Sequence, residues 1–155
     1  MSMRLHLADT TELLERARSV REQVFTIEKQ IPKSIEVDAL DCLNDECDHF
    51  VVEMTGQEGL ASVDVCALRC KKIKKKAIQL QRFCVLKDYR ESGVGRWALE
   101  QIEAYYWKKN IDCITLDAKF HVSGFYETCG YMVISEPFME AGVEHVVMEK
   151  RRTHE

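Results

Sequence analysis

The sequence contains no apolar run long enough to span a bilayer. Its first residues, Met1-Ser2-Met3-Arg4-Leu5-His6, hold no hydrophobic stretch of the kind an export signal needs. No membrane contact is therefore expected, and the chain reads as cytoplasmic. An excess of basic residues is also missing: 22 Lys and Arg against 26 Asp and Glu leave a formal charge of −4. That balance argues against nucleic acid as a partner. No Cys-x-x-Cys occurs among the cysteines at 42, 47, 66, 70, 84, 113 and 129. The count is odd and the spacing irregular, so reduced thiols are expected, several packed as small hydrophobes, and no metal site. A Gly-Lys-Ser/Thr triplet is absent, which excludes a P-loop. There is no internal repeat, low-complexity tract or linker. What remains, 155 residues with 46% hydrophobic and 31% charged, fits one globular domain over residues 1–155.

The pattern of the chain predicts alternating strand and helix segments. Met3 to Ala8 reads as a strand, and Asp9 or Thr10 as the N-cap of a helix. Leu13, Ala17, Val20, Val24 and Ile27 recur at helical spacing and form one apolar face. Pro32 ends this region. Residues 33–48 are acidic and irregular and read as a loop with at most a helical turn. Strands are expected at about His49–Met54, Leu60–Arg69 and Ala77–Leu86. Lys71, Lys72, Lys74, Lys75 and Lys76 fall at the turn between the last two. They read as a solvated hairpin tip that discourages edge association, with contact to a cofactor phosphate as the other possibility. A helix over about Gly95–Lys109 buries Trp97, Ala98, Leu99, Ile102, Tyr105 and Tyr106. A strand at Ile111–Asp117, a short helix at Val122–Cys129 closed by Gly130, and strands at Tyr131–Ser135 and Val143–Met148 complete the order β-α-loop-βββ-α-β-α-ββ. Such an order predicts an α/β or α+β sheet with helices on both faces.

One segment carries chemistry. Tyr89-Arg90-Glu91-Ser92-Gly93-Val94-Gly95-Arg96 follows the apolar run Phe83-Cys84-Val85-Leu86 and opens a helix. Two glycines let backbone N–H groups approach an anion, and the helix dipole adds positive charge there. By itself a Gly-x-Gly can simply be a tight turn. A dinucleotide fingerprint is not met, because the third glycine and the following acidic residue are missing.

The Arg-x-x-Gly-x-Gly spacing resembles the pyrophosphate loop of the GNAT superfamily, the acetyl-CoA-dependent N-acetyltransferases. A second segment in register, Phe125-Tyr126-Glu127-Thr128-Cys129-Gly130-Tyr131, resembles the family's Phe-Tyr-Glu-x-x-Gly-Phe motif, with Tyr131 in place of the final Phe. Several further stretches are similar to the ElaA-like branch: Arg21 to Gln30, Glu36-Val37-Asp38 with Asp41, His49, Gln81 to Val85, and Phe138 to His145. The resemblance implies a mixed, mostly antiparallel sheet of about six to seven strands, with the fourth and fifth splayed apart.

It also implies roles. The pantetheine arm of acetyl-CoA would pair with the backbone of Phe83, Cys84 and Val85. The pyrophosphate would sit on the N–H groups of Arg90, Glu91, Ser92, Gly93, Val94 and Gly95, with Arg96 adding charge and His121 contacting the arm. Tyr126 would protonate the departing thiolate, unless it only packs, and the Val85 N–H would hold the oxyanion. The fourth strand carries Gln79 and Gln81 where some relatives have a glutamate, so the base lies elsewhere. Glu28, Glu36, Asp38, His49 and His145 are the candidates, directly or through water. The first four are also the expected acceptor-binding positions, on an acidic border that would attract a cationic amine. The implied reaction is direct attack of a primary amine, from a small molecule or peptide, on the thioester. An acyl-CoA-binding module without catalysis is the alternative. A Cys84 acyl-enzyme is disfavoured for lack of a neighbouring base. A homodimer through the C-terminal strands is compatible with the pattern.

Overall fold

The computed structural model describes residues 2–58 and 61–153. Its elements are β1 (Ser2–Leu7), α1 (Thr11–Arg21), a π-helical segment (Glu22–Glu28), α2 (Lys33–Glu36), β2 (Cys47–Thr55), β3 (Val63–Lys74), β4 (Ala77–Val85), α3 (Val94–Trp107), β5 (Cys113–Lys119), α4 (Ser123–Thr128), β6 (Met132–Val133), β7 (Phe138–Glu140) and β8 (Val143–Arg151). The expected start of the third strand at Leu60 lies outside the described residues.

The strands form one sheet in the order β1-β2-β3-β4-β5-β8-β6. All neighbours are antiparallel except β4 and β5. β6 and β7 both pair with β8, on different residues, so the outer edge is two short strands laid end to end. The count is eight, one or two more than expected, because Phe138–Glu140 forms a hairpin with Val143–His145. The turn of that hairpin is closed by Ala141 and Gly142, both at positive φ.

Helices cover the two faces unequally. α1 is capped by the Thr10 hydroxyl, which accepts the Leu13 N–H at 3.2 Å, and lays Ala17 and Val20 on Val51, Ala67 and Cys84. Within the sheet it lies mainly on β2, β3 and β4. α3 covers the other face through Ala98, Leu99, Ile102 and Tyr106, packed on Phe50, Leu68, Ile78 and Ile114. Complete burial of side chains of this size contributes about 1.5–3 kcal/mol each. On the α1 side, β5, β7 and β8 are therefore left without a helical cover.

Two expectations are corrected here. Ile27 is 68% exposed, not buried. The chain leaves α1 in a π-helical turn, whose wider winding breaks the three- and four-residue stripe after Val24. Phe125, an apolar neighbour of Tyr126 that the sequence would place in the core, is 37% exposed; its ring lies over Gly95, where a Cβ would sit 3.3 Å from it.

Candidate active site

β4 and β5 pair over only three positions, Ala77↔Cys113, Ile78↔Ile114 and Gln79↔Thr115. Beyond Gln79 they diverge. A bulge in β4 accompanies the divergence. Ala67 faces Cys84 and Arg69 faces Gln81, so Arg82 and Phe83 together oppose Leu68. Arg82 takes a left-handed conformation, φ 53°. The extra residue reverses the alternation of side chains. Before it, Gln79 and Gln81 share the face of Arg69; after it, Cys84 joins Val20 and Ala67 under α1, while Phe83 and Val85 pack on the α3 side.

The bulge also decides which backbone groups face the gap. The Leu86 N–H donates to the Val65 carbonyl at 2.9 Å. Strand alternation then turns the peptide groups of Cys84 toward β3 and those of Phe83 and Val85 toward the gap. The Cys84 backbone is therefore committed to the sheet and does not face an incoming ligand. The Val85 carbonyl is also occupied, by Arg90 Nε at 2.9 Å. Arg90 is held further by a two-pronged pair with Glu28, at 2.7 and 2.6 Å. This clasp ties the π-helical segment to the glycine loop. It consumes Glu28, which is not brought to the cleft.

The loop leaves backbone N–H groups unpaired at the start of α3. Gly93 sits at φ 90°, ψ 0° as the N-cap of α3, with no side-chain cap. The first helical N–H to find a carbonyl is that of Trp97, on Gly93, at 3.0 Å. The N–H groups of Val94, Gly95 and Arg96 therefore have no helical partner. Glu91 is also left-handed, φ 60°, and the Ser92 hydroxyl bonds back to the Tyr89 carbonyl. The Arg96 guanidinium lies across the end of α4, on the carbonyl and hydroxyl of Thr128. His121 is exposed on the helical turn after β5 and does not line the cleft.

The gap opens into a cleft of about 680 Å³, within the range of ligand sites. Tyr126 and Phe83 line it from the α3 side, with ring centroids 6.5 Å apart. The Tyr126 hydroxyl has no hydrogen-bond partner among the described residues, and burial raises it well above the usual phenol value. It is a protonated phenol on the wall of the cleft. On the α1 side the cleft meets Asp38, Arg69, Gln81 and Arg82. Its floor is the uncovered part of the sheet, with Asp117, Glu140 and His145.

The acidic border differs from expectation. Glu36 and Asp41 are buried, and Arg21 bonds both: Nη2 to Glu36 Oε2 at 2.6 Å and Nη1 to Asp41 Oδ1 at 2.6 Å. Arg69 takes Asp38 at 2.7 and 2.8 Å and shares Asp41 at 3.0 Å. Arg82 lies 3.3 Å from Glu36 and 3.5 Å from Asp38. Three carboxylates thus meet three guanidinium groups, and no net negative charge is left to draw in an amine. Glu36 does not reach the cleft. Neither does His49, 1% exposed, whose Nε2 donates to the Leu40 carbonyl at 2.8 Å. Sequence reasoning did not place Asp117 and Glu140 at the cleft; the signal for Asp117 was the alternation of Thr115, Asp117 and Lys119, while Glu140 lies in a strand the pattern did not predict. Cys84 is buried, and burial pushes its thiol up to about 12, which leaves no thiolate for an acyl-enzyme. Among the described residues no cluster of His, Cys, Asp and Glu could hold a metal, and no helix is long and apolar enough to cross a membrane.

Comparison with known proteins agrees with this geometry. Residues 20–152 match the family model of the acetyltransferase (GNAT) domain. The uncharacterized N-acetyltransferase YjcF of Bacillus subtilis is 34% identical over 149 residues, covering 96% of this chain and 99% of YjcF. A crystal structure from Lactobacillus plantarum, whose N-acetyltransferase assignment is provisional, superposes with a TM-score of 0.86 at 25% identity, over 97% of this chain and 99% of that one. Escherichia coli ElaA superposes with a TM-score of 0.79 at 18% identity, over 97% of this chain and 100% of ElaA. With the family model spanning most of its length and a parted β4–β5 pair beside a glycine anion loop, the chain belongs to the GNAT family of acetyltransferases.

Proposed function

We propose that this protein transfers the acetyl group of acetyl-CoA to a primary amine of a small molecule or peptide, by direct attack within a ternary complex. It is read here as a cytoplasmic member of the ElaA-like branch, a placement supported by the shape it shares with ElaA. The observation that carries the reading is the parting of β4 and β5 after the Gln79↔Thr115 pair. The gap joins the anion loop on one side of the sheet to an uncovered floor on the other. The diphosphate of the cofactor would rest on the N–H groups of Val94, Gly95 and Arg96 at the start of α3. The pantetheine arm would pair with the peptide groups of Phe83 that face the gap, since the Val85 carbonyl is held by Arg90. The Val85 N–H would polarise the thioester carbonyl, and Tyr126 would give its proton to the departing sulfur.

Acetyl-CoA-dependent thiol release across a library of primary amines tests this. Tyr126→Phe serves as the control, together with calorimetry of acetyl-CoA binding. The expected result is turnover on some amines, a fall of about 10²-fold or more in Tyr126→Phe, and unchanged cofactor affinity. Binding without thiol release on any amine would leave an acyl-CoA-binding module instead.

A further inference from the structure

Resting on the transferase reading above, we infer that His145 is the general base that deprotonates the acceptor amine. Three observations carry this. First, the tautomer is determined by geometry. His145 Nδ1 lies 2.8 Å from the Val143 carbonyl, which can only accept, so Nδ1 carries the hydrogen. In the neutral ring Nε2 then keeps its lone pair. Second, the ring is held in one orientation: it is 8% exposed and stacks on Phe138 with centroids 5.9 Å apart and planes 26° from parallel. Third, it lines the same cleft as Tyr126, on the sheet face that α1 leaves open.

The other candidate bases fail on the same geometry. Glu28 is consumed by Arg90, Glu36 by Arg21, Asp38 by Arg69, and His49 is buried out of reach. The charged groups around His145 suit the task. Register places Lys119 of β5 directly opposite it, with Asp117 two residues before on the same face. Glu140 of β7 lies 3.7 Å from Nε2, close enough to stabilise the imidazolium once it forms. His121 belongs to the turn packed on β8, and Lys29 and Arg82 stand across the cleft.

The proton account closes. The acceptor enters as an ammonium ion and loses one proton to Nε2. The freed lone pair forms the C–N bond to the thioester carbon, and the C–S bond breaks. The sulfur takes the Tyr126 proton, and Tyr126 recovers one from the attacking nitrogen, which is cationic once the C–N bond has formed. The proton on His145 leaves to solvent. One ammonium and one thioester become one amide, one thiol and one released proton.

The test compares wild-type protein with His145→Gln on two sets of acceptors, alkylamines and weakly basic amines such as hydroxylamine, across a pH series. With alkylamines near neutral pH, His145→Gln is expected to turn over about 10²-fold more slowly. The deficit should shrink as the pH rises, and should be largely absent with hydroxylamine, which arrives already deprotonated. Nitrogen-15 NMR of the resting protein should show His145 protonated on Nδ1 and bare on Nε2. An equal loss on both acceptor sets would mean a structural role and overturn the inference. So would turnover within threefold of wild type on alkylamines, or a hydrogen on Nε2. Wild-type protein silent on every amine would instead overturn the transferase reading, and this inference with it.

Discussion

Asp41 bridges two buried arginines: its Oδ1 accepts from Arg21 at 2.6 Å and from Arg69 at 3.0 Å, while Oδ2 accepts from Arg21 and from the Asp38 N–H, at 3.0 and 2.9 Å. The carboxylate holds the 33–41 segment against β3 and so shapes one wall of the cleft. Asp41→Ala would take one carboxylate partner from each of two guanidinium groups that are 1% and 2% exposed, leaving Arg21 on Glu36 and Arg69 on Asp38. A loss of about 3–5 kcal/mol is expected, by analogy with other broken buried pairs. Urea denaturation monitored by circular dichroism measures it. Burial alone would raise the Asp41 carboxyl, but hydrogen bonds from Arg21 and the Asp38 N–H outweigh it and hold the group well below its ordinary 3.8. Its stabilising effect is therefore complete above about pH 4 and declines as the pH falls through the folded value.

His49 supplies a second pH dependence, at milder acidity. Burial holds its imidazole below the ordinary 6.5, and its Nδ1 has no hydrogen-bond partner among the described residues. Below pH 6.5 the unfolded chain takes up a proton that the folded one refuses. Stability is complete above that pH and falls beneath it, by at most about 1.4 kcal/mol per pH unit. His49→Gln should flatten the plot of unfolding free energy against pH between 6.5 and 5. An unchanged slope would show that His49 titrates freely in the fold.

Gly93 should separate backbone strain from ligand charge. A Cβ there meets nothing within 4 Å, but φ is 90°. Gly93→Ala should cost about 1–2 kcal/mol in stability. Gly93→Asn should be tolerated better, since asparagine enters this region more readily. Gly93→Glu should weaken acetyl-CoA binding tenfold or more, about 1.4 kcal/mol, by placing a carboxylate beside the diphosphate. Calorimetric titration of the three variants distinguishes these outcomes.

Cys84 should be dispensable for chemistry. Cys84→Ala is expected to keep turnover within a few-fold of wild type. Its buried thiol, held up to about 12, should react slowly with iodoacetamide at neutral pH. Rapid alkylation that stops turnover while sparing cofactor affinity would restore an acyl-enzyme route.

Local pattern revealed a great deal of this. Thr10 as a cap, the α3 face of Ala98, Leu99, Ile102 and Tyr106, and Gly130 after α4 were all legible, because each depends on neighbours within a turn or two. The tight glycine turn before α3 was legible for the same reason, and the structure adds that Gly93 is left-handed there. What misled was distance. Glu36, Asp38 and Asp41 look like a solvated acidic run in one dimension. Their arginine partners are 15 to 46 residues away, and no local rule pairs them.

Short-range spacing by itself determined the α+β class and the strand–glycine turn–helix unit, since hydrophobic periodicity and glycine stereochemistry act over a few residues, while kinship came from two motifs in register rather than from composition. Tertiary structure alone decided what faces the cleft. An extra residue at Arg82 turned over the side chains that follow it, and pairing of β8 with both β5 and β7 gathered Asp117, Glu140 and His145 on one floor. Strand register and bulges are settled by contacts between segments far apart in the chain, so the chemistry of that floor exists only once the sheet has closed.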